Sequence, residues 1–191
     1  QGEELGMTNV YFDKLEDYRD VESFNAYKEM TETGGVSHEE MMGYLKKIGR
    51  DNARTPMQWD DSENAGFTTG TPWIRVNPNY LEINAKQQVG NPDSVFSYYK
   101  NLIRLRHENE IIVYGDYELL EPDNEELFIY TRTLGDEKLV VLCNFTDHDV
   151  MIPASVMAQI PDDAPIMISN YVGNIPAVLR PYEATVRQIK K

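Results

Sequence analysis

The chain has 191 residues, 41% of them hydrophobic and 10% aromatic, enough for one large domain or two small ones with packed cores. Its 32 acidic and 18 basic residues give a net charge of −14, which argues against a nucleic-acid partner, since phosphate contacts need clustered Lys and Arg. The acidic residues are spread along the chain as on a solvated surface, and no apolar stretch approaches the ~20 residues of a membrane helix.

The opening segment "QGEELGMTN" has no initiator Met, charged n-region or apolar h-region, so an internal start is expected. In "DVESFNAYKEM", Val21, Phe24 and Tyr27 recur at steps of three and predict a short helix. "SHEEMMGYLKKIGR" predicts a second. Ser37 with Glu40 makes a capping box, Met41, Met42, Tyr44, Leu45 and Ile48 form an apolar stripe, and Gly49 suits the C-cap.

From Arg50 to Asn91 no apolar period is visible, yet Trp59, Trp73, Phe67 and Tyr80 argue against disorder. Segments of this kind hold function on a rigid scaffold. "NPDSVFSYYKNLIRLRHEN" then predicts the strongest helix, with Asn91 as N-cap, Pro92 at the first helical position, and Val95, Tyr98, Tyr99, Leu102, Ile103 and Leu105 on one face. His107 has no acidic or cysteine neighbours at ligand spacing, so no metal site is read there.

Beyond Ile111 the pattern changes to short β-branched and aromatic runs: "VYGDYELLE", "ELFIYTRT", "KLVVLCNF", "DVMIP", "PIMISNY" and "ATVRQIK". The "LGDE" between two of them suits a tight hairpin. Strands at this spacing, with no helix among them, predict an antiparallel sandwich over 110–191, with no exposed aromatic row that could serve as a sugar platform. Cys143 lies in an apolar run and reads as a buried, inert thiol; a chain without disulfides suits a reducing cytoplasm. Residues 1–109 supply amphipathic helices that need a further surface to cover them, as in part of a larger domain.

Four blocks in order, "QGEELGMTN", "ARTPMQWDDSENAGFT" with "PWIRVNPNY", "YYKNLIRLRHEN" and "LRPYEATV", resemble the C-terminal portion of bacterial oligo-1,6-glucosidases, which are α-glucosidases of the α-amylase family of glycoside hydrolases. The resemblance covers essentially the whole chain. It implies an α+β fragment: the end of a (β/α)₈ barrel with a long excursion after the eighth strand over 1–109, then a C-terminal antiparallel β-sandwich over 110–191. A complete barrel needs ~250 residues and does not fit in this chain. The three catalytic carboxylates of the resemblance would come from earlier strands, and no carboxylate here occupies a matching motif, so no catalytic residue is assigned. No cofactor and no metal are expected.

What the resemblance leaves to this chain is substrate binding. Arg54 in "ARTPMQW" resembles the arginine that holds the terminal glucose, and a planar guanidinium suits sugar hydroxyls. Its bland alternative is an arginine that bridges loop to barrel by ion pairs. Glu22 in "DVES" is similar to an acidic residue of the adjoining subsite that helps select α-1,6 linkages, or is a carboxylate favoured at a helix N-terminus. Glu3 and Glu4 read as structural anchors at the barrel rim. Trp59, Trp73 and Phe67 read as loop packing rather than sugar platforms, and Asp60 and Asp61 as turn residues rather than calcium ligands.

The expected partner is thus an isomaltose-like oligosaccharide, bound together with upstream barrel residues, with neither nucleic acid nor membrane involved. The resemblance extends to trehalose-6-phosphate hydrolases, sucrose isomerases and dextran glucosidases, but no basic cluster suggests a sugar-phosphate pocket. The rival reading is a stand-alone carbohydrate-binding or structural sandwich module.

Overall fold

The computed structural model describes residues 1–190. The chain divides into two compact units between Asn101 and Leu102.

In the first unit, helix α1 spans Val21–Glu32, and its N-cap is Asp20, whose carboxylate accepts the Ser23 N–H. The residue buried along α1 is Ser23; of the apolar stripe expected there, Val21 and Phe24 are exposed, and Tyr27, partly buried, packs with Ala26 against the core of this unit. Helix α2 spans His38–Ile48 and opens with the complete Ser37–Glu40 capping box. Met41, Met42 and Leu45 are buried, whereas Tyr44 and Ile48 are exposed. Gly49 follows α2 in an extended conformation at φ −59°, not the left-handed one. Glycine is required there by close approach, since a Cβ would meet the Leu45 carbonyl oxygen at 2.5 Å.

The core of this unit joins Met41, Met42 and Leu45 to Val10, Phe12, Tyr18 and Ile74, with the Phe12 and Tyr18 rings edge to face at 5.2 Å. Side-chain amides order the connecting segments. Asn9 and Asn52 donate to the carbonyls of the last turn of α2, and Asn77 donates to those of Thr8 and Asn9. The long segment after Gly49 contains four short helical turns, at Arg50–Ala53, Glu63–Gly66, Pro78–Leu81 and α3 (Ala85–Gln88). Its order comes from polar side chains bonded to backbone, which leaves no apolar period in the sequence.

Helix α4 spans Val95–Glu108 and starts later than the sequence suggests. Asn91 turns its side chain to the Asp93 N–H, and Ser94, not Asn91, accepts the N–H of Ser97 as a cap does. None of the residues of α4 is buried; Val95, Tyr99, Leu102 and Ile103 are exposed.

The second unit begins with the remainder of α4 and a helical turn α5 (Glu110–Tyr114), where a strand was expected from Val113. The strands are β1 (Asp116–Leu120), β2 (Leu127–Leu134), β3 (Glu137–Asn144), β4 (Val150–Met151), β5 (Ile166–Ser169), β6 (Val178–Leu179) and β7 (Ala184–Lys190). Among the described residues, β1-β2-β3-β7-β5 form one antiparallel sheet, and β4 pairs with β6. The hairpin at "LGDE" has a two-residue loop, with Leu134 opposite Glu137 and Gly135 at φ 57°.

A short helical turn α6 (Ala154–Met157) interrupts the run of strands, contrary to expectation, and it contributes Val156 to the core. Leu127 and Ile129 of β2, Val140 and Leu142 of β3, and Val150, Ile152 and Leu179 complete that core. Cys143 is half-buried, and burial pushes its thiol up.

The opposite side of β2 carries rings that the sequence reading missed. Tyr117 and Phe128 flank Tyr130 with centroids at 5.2 and 5.4 Å, and Phe145 lies 6.4 Å from Phe128. Tyr117, Phe128 and Phe145 are exposed. The expectation of no exposed aromatic row is therefore corrected: strict alternation along β2 sends Phe128 outward while Leu127 and Ile129 point to the core.

Candidate functional site

The two segments that carry the sequence-predicted residues meet at the start of α1. Arg54 ends the helical turn Arg50–Ala53, with φ −119° and ψ 2°, and Pro56 two residues later keeps the chain from continuing as helix. Thr55 is buried, and its carbonyl accepts the Gln1 side-chain amide at 2.6 Å, which ties "QGEE" to "ARTP".

Arg54 Nη1 donates to Asp20 Oδ1 at 3.0 Å and lies 3.6 Å from Asp51 Oδ1. Asp20 and Asp51 have side-chain exposures of 8% and 0%, against 37% for Arg54. Among the described residues Nε and Nη2 of Arg54 meet no acceptor, so donors are left over. Asp51 is held from below, its Oδ2 accepting the N–H groups of Arg19 at 2.6 Å and Asp20 at 2.9 Å.

Glu22 belongs to the same cluster through Arg50. Arg50 Nη1 pairs with Glu22 Oε2 at 2.8 Å and stands 4.0 Å from Asp20 Oδ1. The charges alternate: Arg54, Asp20, Arg50, Glu22. Glu22 is 72% exposed, so its pair with Arg50 is screened and adds little to stability. Burial pushes the Asp20 carboxyl up, but the hydrogen bonds from Arg54 and Ser23, with Arg50 nearby, outweigh it and hold Asp20 below its usual value. The aspartate is a carboxylate at neutral pH.

Sequence reasoning named Arg54 and Glu22 but not Asp20, Arg50 and Asp51, which the fold brings beside them. Signals for two of them are present in hindsight. Asp20 immediately precedes a helix, the place for an N-cap, and Asp51 precedes Arg54 by one helical turn. Neither Glu3 nor Glu4 forms an ion pair among the described residues.

The loop beyond Arg54 is anchored by Gln58 rather than by its tryptophans. Gln58 is fully buried, its side chain donates to the Ile83 carbonyl, and its own carbonyl accepts the Ala85 N–H. Trp59, Trp73 and Phe67 are exposed, so the expectation that their rings pack the loop is not met within this chain. Trp59 acts through its backbone, bonding Ala65 and Lys86. Asp60 accepts from the Ser62 N–H and hydroxyl, and Asp61 pairs with Lys86 at 2.9 Å, which are turn and surface roles. Among the described residues, no group of three or more His, Cys, Asp or Glu could hold a metal ion, and no helix is long and apolar enough to cross a membrane.

Residues 1–115 match the family model "Alpha amylase, catalytic domain", and the chain belongs to that family. It is 51% identical over its whole length to an oligo-1,6-glucosidase of Parageobacillus thermoglucosidasius, of which it covers 34%. It is also 42% identical, again over its whole length, to a trehalose-6-phosphate hydrolase of Bacillus subtilis, of which it covers 35%. Among solved structures, an isomaltulose synthase mutant of Erwinia rhapontici, in complex with its natural substrate sucrose, superposes with a TM-score of 0.89 at 42% identity. That match covers all of this chain and 35% of the synthase. The chain thus spans about a third of the length of the relatives it matches.

Proposed function

We propose that this chain is part of an α-glucosidase that hydrolyses terminal α-1,6 or α-1,4 glucosidic bonds of short oligosaccharides by a retaining mechanism. In this reading residues 1–109 belong to the C-terminal end of the catalytic barrel, and 110–191 form a C-terminal β-sandwich domain. Arg54 holds the terminal glucose, Glu22 lines the adjoining subsite, and the protein works in the cytoplasm. The catalytic carboxylate pair, which must stand about 5 Å apart across the scissile bond, is contributed by residues outside these 191.

The observation that carries this reading is the state of Arg54. A partly exposed guanidinium is anchored by Nη1 alone to a buried carboxylate, with further donors left for hydroxyls. Among the relatives, the glucosidases suit the cluster better than a sugar-phosphate hydrolase does. Arg50 is neutralised by Glu22, so the alternating charges leave no surplus cation for a phosphate.

The binding-module reading has one observation in its favour, the exposed rings around Tyr130. Their planes are tilted by 37°, 52° and 76° to one another, however, unlike a flat platform for a sugar chain. Two assays separate the readings. The purified 191-residue chain should neither cleave an aryl α-glucoside nor be retained on insoluble dextran, while the longer protein should hydrolyse isomaltose. Retention of the chain on dextran favours the module, and cleavage by the chain itself contradicts the assignment of its carboxylates.

A further inference from the structure

We propose that the second unit carries a binding site for a short aliphatic carboxylate, in the gap between the five-stranded sheet and the layer formed by β4, β6 and α6. The site goes beyond the glucosidase reading and does not depend on it.

Its polar groups come from β7. Thr185 lies opposite Leu142 and Arg187 opposite Val140, two core residues, so with a period of two both side chains are on the core side of the sheet. A hydroxyl and a guanidinium thus stand where apolar residues are the rule. Thr185 is 3% exposed, and its hydroxyl has no hydrogen-bond partner among the described residues. Arg187 Nη1 donates to the Ala164 carbonyl at 3.1 Å, but the guanidinium joins no ion pair among the described residues. Glu183, the acid that its charge reaches, is already held through both oxygens by Arg180. A buried hydroxyl without a partner and a half-buried cation without an anion, facing one space, call for an anionic acceptor.

Both line a cavity of about 270 Å³, whose walls include Leu142, Ile152, Met157 and Leu179. No aromatic ring lines it, so it offers no stacking face to a sugar. The volume is small for a ligand pocket and suits an apolar body of fewer than about ten heavy atoms. The mouth is formed in advance, since the Ile152 N–H donates to the Ala177 carbonyl at 2.9 Å and the Val178 N–H to that of Ile175 at 3.3 Å. Asp162 stands at the rim, exposed, where solvent and salt screen its charge.

The test uses the longer protein with hexanoate as probe and hexanol as its uncharged counterpart, followed by ligand-observed NMR and by crystals soaked in hexanoate. Arg187→Met keeps the apolar stem and removes the charge; Thr185→Val keeps the shape and removes the hydroxyl. We expect hexanoate to bind with a dissociation constant of about 1 mM and to occupy the cavity in the crystals, its carboxylate at Arg187. Binding should weaken roughly tenfold in Arg187→Met and about threefold in Thr185→Val, whereas hexanol should bind more weakly and be indifferent to Arg187→Met. Thr185→Val should melt no lower than the unaltered protein, because it deletes an unmet buried hydroxyl. Hexanoate bound no better than hexanol, equal affinity in Arg187→Met, or a cavity holding only ordered water would overturn the proposal. If Arg187→Met does not fold, Thr185→Val carries the same comparison alone.

Discussion

Arg54 and Asp20 are 34 residues apart in sequence, yet Arg54 Nη1 and Asp20 Oδ1 are 3.0 Å apart, and Asp20 is the residue that caps α1. One carboxylate thus serves helix and loop together. The bland alternative for Arg54, a structural bridge, and the ligand role are therefore not exclusive. Arg54→Ala should also destabilise the protein, by about 1 to 3 kcal/mol, because it strands two poorly exposed carboxylates. Urea unfolding of the variant checks this; an unchanged midpoint would show that Asp20 and Asp51 find other compensation.

Arg180 and Glu183 form the corresponding anchor of the C-terminal unit. Arg180 Nε and Nη2 meet the two oxygens of Glu183 at 2.8 and 2.9 Å, Glu183 is almost fully buried, and the guanidinium lies 4.1 Å over the Tyr171 ring. Arg180→Ala should cost about 3 kcal/mol, since it leaves a buried carboxylate unpaired. A loss below about 1 kcal/mol would mean that water reaches Glu183.

The same pair sets an acid limit. Burial pushes the Glu183 carboxyl up, but hydrogen bonds from the Arg180 side chain and N–H, with its charge, outweigh this and hold the pKa below 4.5. A depressed folded pKa stabilises above the unfolded value and stops doing so as pH falls through the folded one. Stability should therefore drop below about pH 4.5, and less steeply in Glu183→Gln. Denaturant titrations from pH 7 to 3 measure the slope; parallel slopes would remove Glu183 from the account.

His148 works in the opposite sense. Its Nε2 meets Glu126 at 2.8 Å and its Nδ1 meets Asp147 at 3.2 Å, so both carboxylates favour the charged ring and raise its pKa above 6.5. A raised folded pKa gives stabilisation that is complete below the unfolded value and is lost as pH rises through the folded one. An NMR titration should place His148 above 6.5, and Glu126→Gln should lower it. A value at or below 6.5 in the unaltered protein would refute the pairing.

The parts of the fold legible in the sequence are those whose order is local. The Ser37–Glu40 box and the Gly135 turn each lie within four residues, and both appear as read. The start of α4 was misplaced because Asn91 and Ser94 both suit a cap, and tertiary bonds decide between them: Ser94 Oγ reaches the Gln88 carbonyl. The α6 turn and β6 are too short to leave a period. At the site, Arg54 was visible through a motif, but the charges that hold it come from α1 and from a turn whose regularity is polar. Asp51 in "RDNARTP" looks like any exposed aspartate until the fold buries it.

The most direct measurement is the steady-state kinetics of the longer protein on isomaltose, with Arg54 intact, as Ala and as Lys. A charged donor to a hydroxyl contributes about 1.5 to 3 kcal/mol, so Arg54→Ala should lower kcat/KM by roughly one to two powers of ten. Arg54→Lys should recover little, because an ammonium cannot both pair with Asp20 and present the remaining donors of a planar fork. Hydrolysis by Arg54→Ala at the rate of the unaltered protein would contradict the account, leaving Arg54 as a bridge between loop and helix.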